Sequence, residues 1–370
     1  MKLLFLADGA SVHTNKWVVS LLKKGHQIHL FSLNSFDQKA YVEFEKNFNH
    51  TVFNLTERKT ILGGLNKLSY LRVVKDIKHV IKEFKPDLLH AHFATSYGML
   101  AAKVDFHPMI ISVWGYDVLH FPKRSFIHKK ILEHNISKAD KILSTSHMMA
   151  KETKLYTDKP IEVTPFGIDM EIFKPSDKTF PSLDRDSFII GTAKALEDKY
   201  AIDDLIRSFT ILVHRHPEKQ LQLAIAGDGS SEDKLHELAS SLGVTEKTVF
   251  LGRVNHRDIP DFYNSIDVFA TLSLEDSFGV SVIEAGACGK PVVVTNVEGL
   301  PEVVEKDKTG YVVPKRNPEK AADAFEALLL DKSLRKEMGN AGRQRIMLHY
   351  NWDNCVDQMH NIYLDMVNKC

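Results

Sequence analysis

The chain has 370 residues, 44% hydrophobic and 26% charged, an ordinary soluble composition spread over more length than one hydrophobic core usually organises. No run approaches the roughly eighteen apolar residues of a membrane span, and the opening Met1-Lys2-Leu3-Leu4-Phe5-Leu6-Ala7-Asp8 is too short and too early acidic for a signal peptide. Cys288, Cys355 and Cys370 are scattered without C-x-x-C pairing, which excludes a cysteine zinc site and fits a reducing compartment, the cytoplasm.

In chain order, strands are expected at 3–7, 27–32, 51–55, 88–93, 109–114, 141–144 and 161–165. Apolar spacing places helices between them. Trp17, Val18, Leu21 and Leu22 make one helical face, stopped by Gly25, and Leu68, Leu71, Val74, Ile77, Val80 and Ile81 make another. Residues 175–187 are polar and proline-bearing, as an interdomain linker would be. The scheme then repeats, with strands at 188–191, 221–226, 249–251, 268–272, 291–295 and 311–313 and helices at 203–214, 232–242 and 318–330. A last amphipathic helix carries Val356, Met359, Ile362, Tyr363 and Met366. Alternating β and α segments imply parallel sheets covered on both faces. The expected fold class is α/β, two Rossmann-like doubly wound domains whose strand ends face a cleft.

Several constellations fall at expected strand ends. The first turn, Asp8-Gly9-Ala10-Ser11-Val12-His13, lacks G-x-G-x-x-G and so carries no dinucleotide fingerprint. Gly9 would let a ligand approach the backbone closely. His13 is either a phosphate or acceptor contact or a ring packed on its own helix. His90-Ala91-His92 is two ligands short of a metal site. Trp114 reads as a sugar-stacking ring or as a sheet-edge tryptophan, and Asp117 as an acceptor for a hydroxyl. Lys194 and Lys199 stand five apart after a strand, as a diphosphate clamp or as surface lysines. Gly227 and then Arg253-Val254 follow two further strands.

The densest stretch is 272–294, which holds Asp276, Phe278-Gly279 and Glu284. A helix starting near Gly279 would aim unpaired N–H groups and a positive dipole end at an anion. Asp276 and Glu284 would take hydroxyls. Alone, such a pair is also what a helix cap and a solvated helix face leave behind.

Charge is uneven. Residues 1–168 hold 24 Lys and Arg against 15 Asp and Glu, and the remainder 24 against 33. The basic half suits an anionic membrane surface or phosphorylated lipid, or else attracts the acidic half. No basic segment carries interleaved aromatics, which argues against nucleic acid.

The run from Asp276 through Phe278-Gly279 and Glu284 to Pro291-Val292-Val293 resembles the acidic-x7-Glu motif of retaining GT-B glycosyltransferases of the large family 4, or group 1, type. The resemblance covers most of the chain and is strongest over 188–314. Asp276 stands where that family has Glu, and Lys194 where it has Arg, which keeps the charge but loses the bidentate fork. The resemblance implies an N-terminal acceptor-side domain over 1–170, a C-terminal nucleotide-sugar domain over 171–349, and a terminal helix over 350–370 that crosses back to the first. It implies transfer with retention from a UDP- or GDP-sugar to a glycan or lipid-diphosphate-linked acceptor, without metal or other cofactor, as in bacterial surface polysaccharide assembly at the inner face of the membrane. Asp276, Lys194 and Lys199 would be catalytic. Phe278, Gly279, Val280, Ser281, Glu284, Gly227, Arg253 and Val254 would bind the donor. Gly9, His13, His92, Trp114 and Asp117 would lie on the acceptor side. A nucleotide-sugar epimerase of the same fold and a non-catalytic sugar-nucleotide-binding protein are the rival readings.

Overall fold

Apolar runs such as Leu3-Leu4-Phe5-Leu6 and Val292-Val293-Val294 become strands buried on both faces, as parallel sheets between helix layers require. The computed structural model describes residues 1–54 and 67–369. It divides into unit 1, Met1–Phe166 with Asn354–Cys370, and unit 2, Gly167–Asp353. Leu55, expected at the end of a strand, lies outside the described residues, as do the side chains of Leu68 and Leu71.

Unit 1 holds a seven-stranded parallel sheet of order β3-β2-β1-β4-β5-β6-β7. Its strands are β1 (Lys2–Leu6), β2 (Gln27–Ser32), β3 (Phe48–Val52), β4 (Leu88–His92), β5 (Met109–Val113), β6 (Lys141–Ser144) and β7 (Ile161–Val163). The helices between them are α1 (Val12–Lys23), α2 (Lys67–Phe84), α3 (Gly98–Val104), α4 (Tyr116–Leu119), α5 (Phe126–Lys138) and α6 (His147–Thr153). Ser11, Ser125 and Ser146 cap α1, α5 and α6 by accepting N–H bonds from the first turn. Gly25, at φ +84°, follows the end of α1 as expected. β3 begins three residues before the expected strand, because pairing with β2 runs from Ile28 opposite Phe48 to Ser32 opposite Val52.

Unit 2 holds a six-stranded parallel sheet of order β10-β9-β8-β11-β12-β13. Its strands are β8 (Phe188–Ala193), β9 (Leu221–Ala226), β10 (Thr248–Gly252), β11 (Val268–Thr271), β12 (Val292–Thr295) and β13 (Gly310–Val313). The helices are α7 (Ile202–Arg215), α8 (Glu232–Ser241), α9 (Ile259–Ser265), α10 (Val280–Ala287), α11 (Leu300–Val303), α12 (Pro318–Leu330) and α13 (Lys332–His349). Residues 175–187 are not a free linker but belong to this unit. Ser176 N–H donates to Asn264 Oδ1 and Phe180 N–H to Ser265 Oγ, and Leu183 is buried.

The final helix, α14 (Trp352–Asn368), returns the chain to unit 1. Val356, Met359, Ile362 and Tyr363 are buried there. Tyr363 Oη lies 2.7 Å from His90 Nδ1, and His360 Nδ1 lies 2.8 Å from His26 Nε2. Among the described residues no helix is long and apolar enough to cross a membrane. Strand order reverses between β1 and β4 in unit 1 and between β8 and β11 in unit 2. In doubly wound sheets, ligands bind beyond the carboxyl ends at such reversals.

Candidate active site

In unit 2 the chain leaves β8 at Lys194, and Asp276 lies in the loop that joins β11 to α10. Lys194 Nζ donates to Asp276 Oδ2 at 2.7 Å, with the two side chains 12% and 11% exposed. Asp276 Oδ1 accepts the N–H groups of Gly279 at 2.8 Å and Phe278 at 3.3 Å. The carboxylate thus closes the turn that starts α10. Gly279 sits there at φ +90°, a conformation costly for residues with a Cβ. Ser281 Oγ, in the first turn of α10, is buried with no hydrogen-bond partner among the described residues. Such an orphan beside the positive end of a helix is what an anionic ligand would satisfy.

Beside this turn lies a cavity of about 390 Å³ lined by Lys194, Gly227, Arg253, Val254, Tyr263 and Glu284, among others. Gly227 has φ +142°, and a Cβ there would overlap the Lys194 carbonyl oxygen. Only glycine lets these two strand ends meet. Tyr263 is fully buried and donates its hydroxyl to Glu284 Oε2 at 2.8 Å. Burial first, then the Glu284 charge, pushes the Tyr263 hydroxyl well above its ordinary range, so it stays a donor.

The structure therefore brings together five expected residues, Lys194, Gly227, Arg253, Val254 and Glu284. It adds Tyr263, Asn255 and His256, which the sequence reading missed. Asn255 and His256 directly follow Arg253-Val254 past a strand end, so the carboxyl-end rule could have found them. Nothing in the sequence pairs Tyr263 with Glu284.

Other expected residues are already engaged in this structure. The Phe278 and Gly279 amides, expected to hold a sugar, already serve the Asp276 carboxylate, because the helix start needs an acceptor. The Phe278 ring is buried and meets Tyr350 edge-on at 5.7 Å. Val280 and Ser281 remain at the helix end. Lys199 does not line the cavity. It is half exposed and paired with Glu197 at 3.0 Å. Yet its ammonium and that of Lys194 lie 5.0 and 5.2 Å from the centroid of the same Tyr200 ring, so both cations border one surface.

In unit 1, the rings of His13, Trp114, His92 and Phe166 cluster past the ends of β1, β4 and β5. His13 stacks on Phe166 at 4.1 Å, and His92 lies 4.4 Å from half-buried Trp114. Burial, helped by Lys16, lowers the His13 pKa to about 4. At neutral pH the ring is uncharged, so any ligand contact it makes is a hydrogen bond. His92 is 3% exposed and its pKa is held well below the ordinary value by burial. Asp117 does not offer itself to a hydroxyl. It is wholly buried and accepts the N–H groups of Ala94, Gly115 and Trp114 at 2.8, 2.9 and 3.2 Å, so it ties the turn after β4 to the turn after β5. Gly9 does not open the backbone to a ligand either, since the Phe36 ring occupies the space of its missing Cβ. Among the described residues no three His, Cys, Asp or Glu side chains gather as a metal site would.

Comparison with protein families decides the identity. Residues 174–345 match the glycosyl transferases group 1 model and residues 2–146 the glycosyl transferase 4-like model. The chain belongs to the group 1, family 4 type of GT-B glycosyltransferases. An uncharacterised glycosyltransferase of Methanocaldococcus jannaschii is 36% identical over 162 residues, 44% of this chain and 41% of the relative. A D-inositol 3-phosphate glycosyltransferase of Kribbella flavida is 30% identical over 282 residues, 69% of this chain and 66% of the relative. The chain thus covers less than two thirds of either relative. An N-acetyl-alpha-D-glucosaminyl L-malate synthase of Bacillus anthracis is 23% identical over 94% of this chain and 91% of its own length. The structure of Anabaena HepE in complex with UDP matches with TM-score 0.81 and 18% identity, covering 99% of this chain and 100% of that one. This chain shares that fold.

Proposed function

We propose that this glycosyltransferase moves a sugar, with retention, from a UDP- or GDP-sugar to a glycan or lipid-diphosphate-linked acceptor. We place the reaction in bacterial surface polysaccharide assembly, at the inner face of an anionic membrane. The observation that carries the donor reading is the unit 2 cavity, where Lys194, Gly227, Arg253, Val254 and Glu284 converge beside the first turn of α10. Anabaena HepE binds UDP, which makes UDP-sugars the first donors to try.

In the proposed step the acceptor oxygen bonds to the anomeric carbon while that carbon's bond to the diphosphate oxygen breaks. The acceptor's proton passes to the departing diphosphate. Lys194 donates one ammonium N–H to Asp276 and has two more for phosphate oxygens. Lys199, the first-turn N–H groups of Val280 and Ser281, and the helix dipole add positive potential where charge develops. No divalent metal is needed to supply it. Asp276 would take a hydroxyl of the donor sugar, and Glu284, oriented by Tyr263, the ribose hydroxyls.

The test is a thermal-shift panel of UDP, GDP, ADP and their sugars, since a ligand bound only by the native state raises its stability. It is followed by NMR of the product's anomeric configuration. One nucleotide family should stabilise the protein, and the new linkage should keep the donor's configuration. An inverted product would overturn retention. Conversion of the donor without an acceptor to an isomeric nucleotide-sugar would mark an epimerase, and binding without turnover a non-catalytic protein.

A further inference from the structure

We infer that the start of α5 is a docking surface for an anionic lipid bilayer, with Phe126 and Ile127 entering the apolar layer and Lys103, Lys123, Arg124, Lys129 and Lys130 meeting the headgroups. The inference rests on the membrane reading above and assigns it a surface on unit 1.

Phe126 and Ile127 are consecutive, large and apolar, yet 71% and 69% exposed. Single exposed hydrophobics are common, but adjoining ones beside an apolar groove mark an interaction surface. Ser125 is in extended conformation and accepts the His128 N–H, so α5 starts at this pair. Between α3 and α5 runs a groove of about 570 Å³ lined by Met99, Lys103, Phe126, Ile127 and Ile131, among others. Asn135 lines it too, but its side-chain amide already donates to the Ala94 carbonyl at 2.9 Å.

Cations surround this apolar edge. Lys130 Nζ sits 5.5 Å from the centroid of the Phe126 ring, and the Arg124 guanidinium 5.5 Å from that of half-exposed Tyr116. Long basic side chains laid along apolar groups reach toward an aqueous boundary. The facing acids are Glu133, paired with Lys129 and Lys130, and Glu152, paired with Lys123. Asp105, just past the end of α3, is paired with Lys138 and His107. Five cations against two acids leave an excess of three positive charges around the groove. That charge selects the occupant. A second copy docked about a two-fold axis would oppose the patch to itself, positive against positive. An anionic bilayer offers phosphates at the rim and hydrocarbon beneath them.

The test is flotation with vesicles of phosphatidylcholine alone and of phosphatidylcholine mixed with phosphatidylglycerol. The full chain should float only with the mixed vesicles. Phe126→Ser with Ile127→Ser should weaken binding by about tenfold or more. Neutralising Arg124, Lys129 or Lys130 to Gln should weaken it about fivefold each, and raised salt should act likewise. All these side chains are exposed, so melting temperature and nucleotide binding should stay at wild-type values. Loss of nucleotide binding in wild type would sink the donor reading and leave this one standing. A Phe126→Trp variant gives an independent readout, since brominated lipid should quench its added fluorescence. Equal binding to both vesicle types, wild-type flotation of the serine variant or absence of quenching would overturn the proposal. So would concentration-dependent dimers that dissolve on changing Phe126 and Ile127, which would assign the patch to a second copy.

Discussion

Lys194 and Asp276, 82 residues apart in sequence, are joined by a hydrogen bond of 2.7 Å. The resemblance marks both, like Trp114, as departures from the family pattern, and these two are each other's partner. A shorter acid and an unforked cation thus occupy one nearly buried contact. Asp276→Asn and Lys194→Met should each destabilise unit 2 by about 1–3 kcal/mol, between the worth of exposed and buried pairs, and each should abolish transfer. Lys194→Arg and Asp276→Glu should each impair the enzyme alone and compensate together, with a coupling of about 0.5–3 kcal/mol. Urea midpoints and kcat/KM for the four proteins measure this, and strict additivity would show that the departures are independent.

Tyr263 and Glu284 form a second such pair. Glu284→Gln keeps shape and removes charge, so nucleotide binding should weaken by about 1.5–3 kcal/mol, roughly ten- to a hundredfold. Tyr263→Phe removes the donor that orients Glu284 and should raise the donor KM while changing kcat less. Calorimetry with nucleoside diphosphate checks the first, and unchanged affinity would remove Glu284 from the site.

Transfer should survive excess EDTA, because Lys194, Lys199 and the α10 dipole are proposed to neutralise the diphosphate. Activity lost on chelation and restored by magnesium or manganese would refute this.

Acid should weaken unit 1 first. Burial lowers the pKa of His13, His26 and His29 to about 4, that of His90 to about 3, and that of His92 well below 6.5. All five lie in unit 1. Once unfolded, these rings would titrate near 6.5. As pH falls from about 6.5 toward 4, the unfolded chain binds protons that the native chain refuses, so stability falls. Each fully shifted histidine adds a slope of up to about 1.4 kcal/mol per pH unit. Trp17 and Trp114 lie in unit 1 and Trp352 in unit 2, so fluorescence of a Trp352→Phe variant follows unit 1 alone. Its urea midpoint should drop between pH 7 and 5, whereas a flat profile would contradict the assignment.

Truncation after Tyr350 should unfold or aggregate unit 1. Val356, Met359, Ile362 and Tyr363 would be lost from its core, at about 1.5–3 kcal/mol each against a usual total of roughly 5–15 kcal/mol. Transfer should collapse with every proposed donor-site residue still present. A truncated protein that melts and reacts as wild type would make the helix an accessory tail.

Much of the fold was legible because parallel sheets write their strands as continuous apolar runs. The third strand was misplaced because Thr51-Val52-Phe53 looks more strand-like than Phe48-Asn49-His50, whereas pairing with β2 decides the register. Helix α13 went unread because half of its buried face, Met338, Gly339, Gly342 and Ile346, is glycine. A Cβ on Gly339 would overlap the Gly289 carbonyl oxygen, so the packing face carries no apolar signature there. At the site, residues next to strand ends were legible from position. The Lys194–Asp276 and Tyr263–Glu284 contacts were not, because they depend on strand order and not on local spacing. Asp117 misled for a related reason, since an acid after a strand looks the same whether it faces water or gathers backbone amides.

The return of α14 to unit 1 makes unit 2 an insertion within it. Synthesis proceeds from the N-terminus, and domains generally fold as they emerge. Unit 2 has all its residues once Asp353 has left the ribosome, whereas unit 1 still lacks the helix that covers His26 and His90. The nascent protein would therefore complete its later-encoded half first. Its earlier half would wait with an exposed groove, the interval in which a chaperone has most to protect.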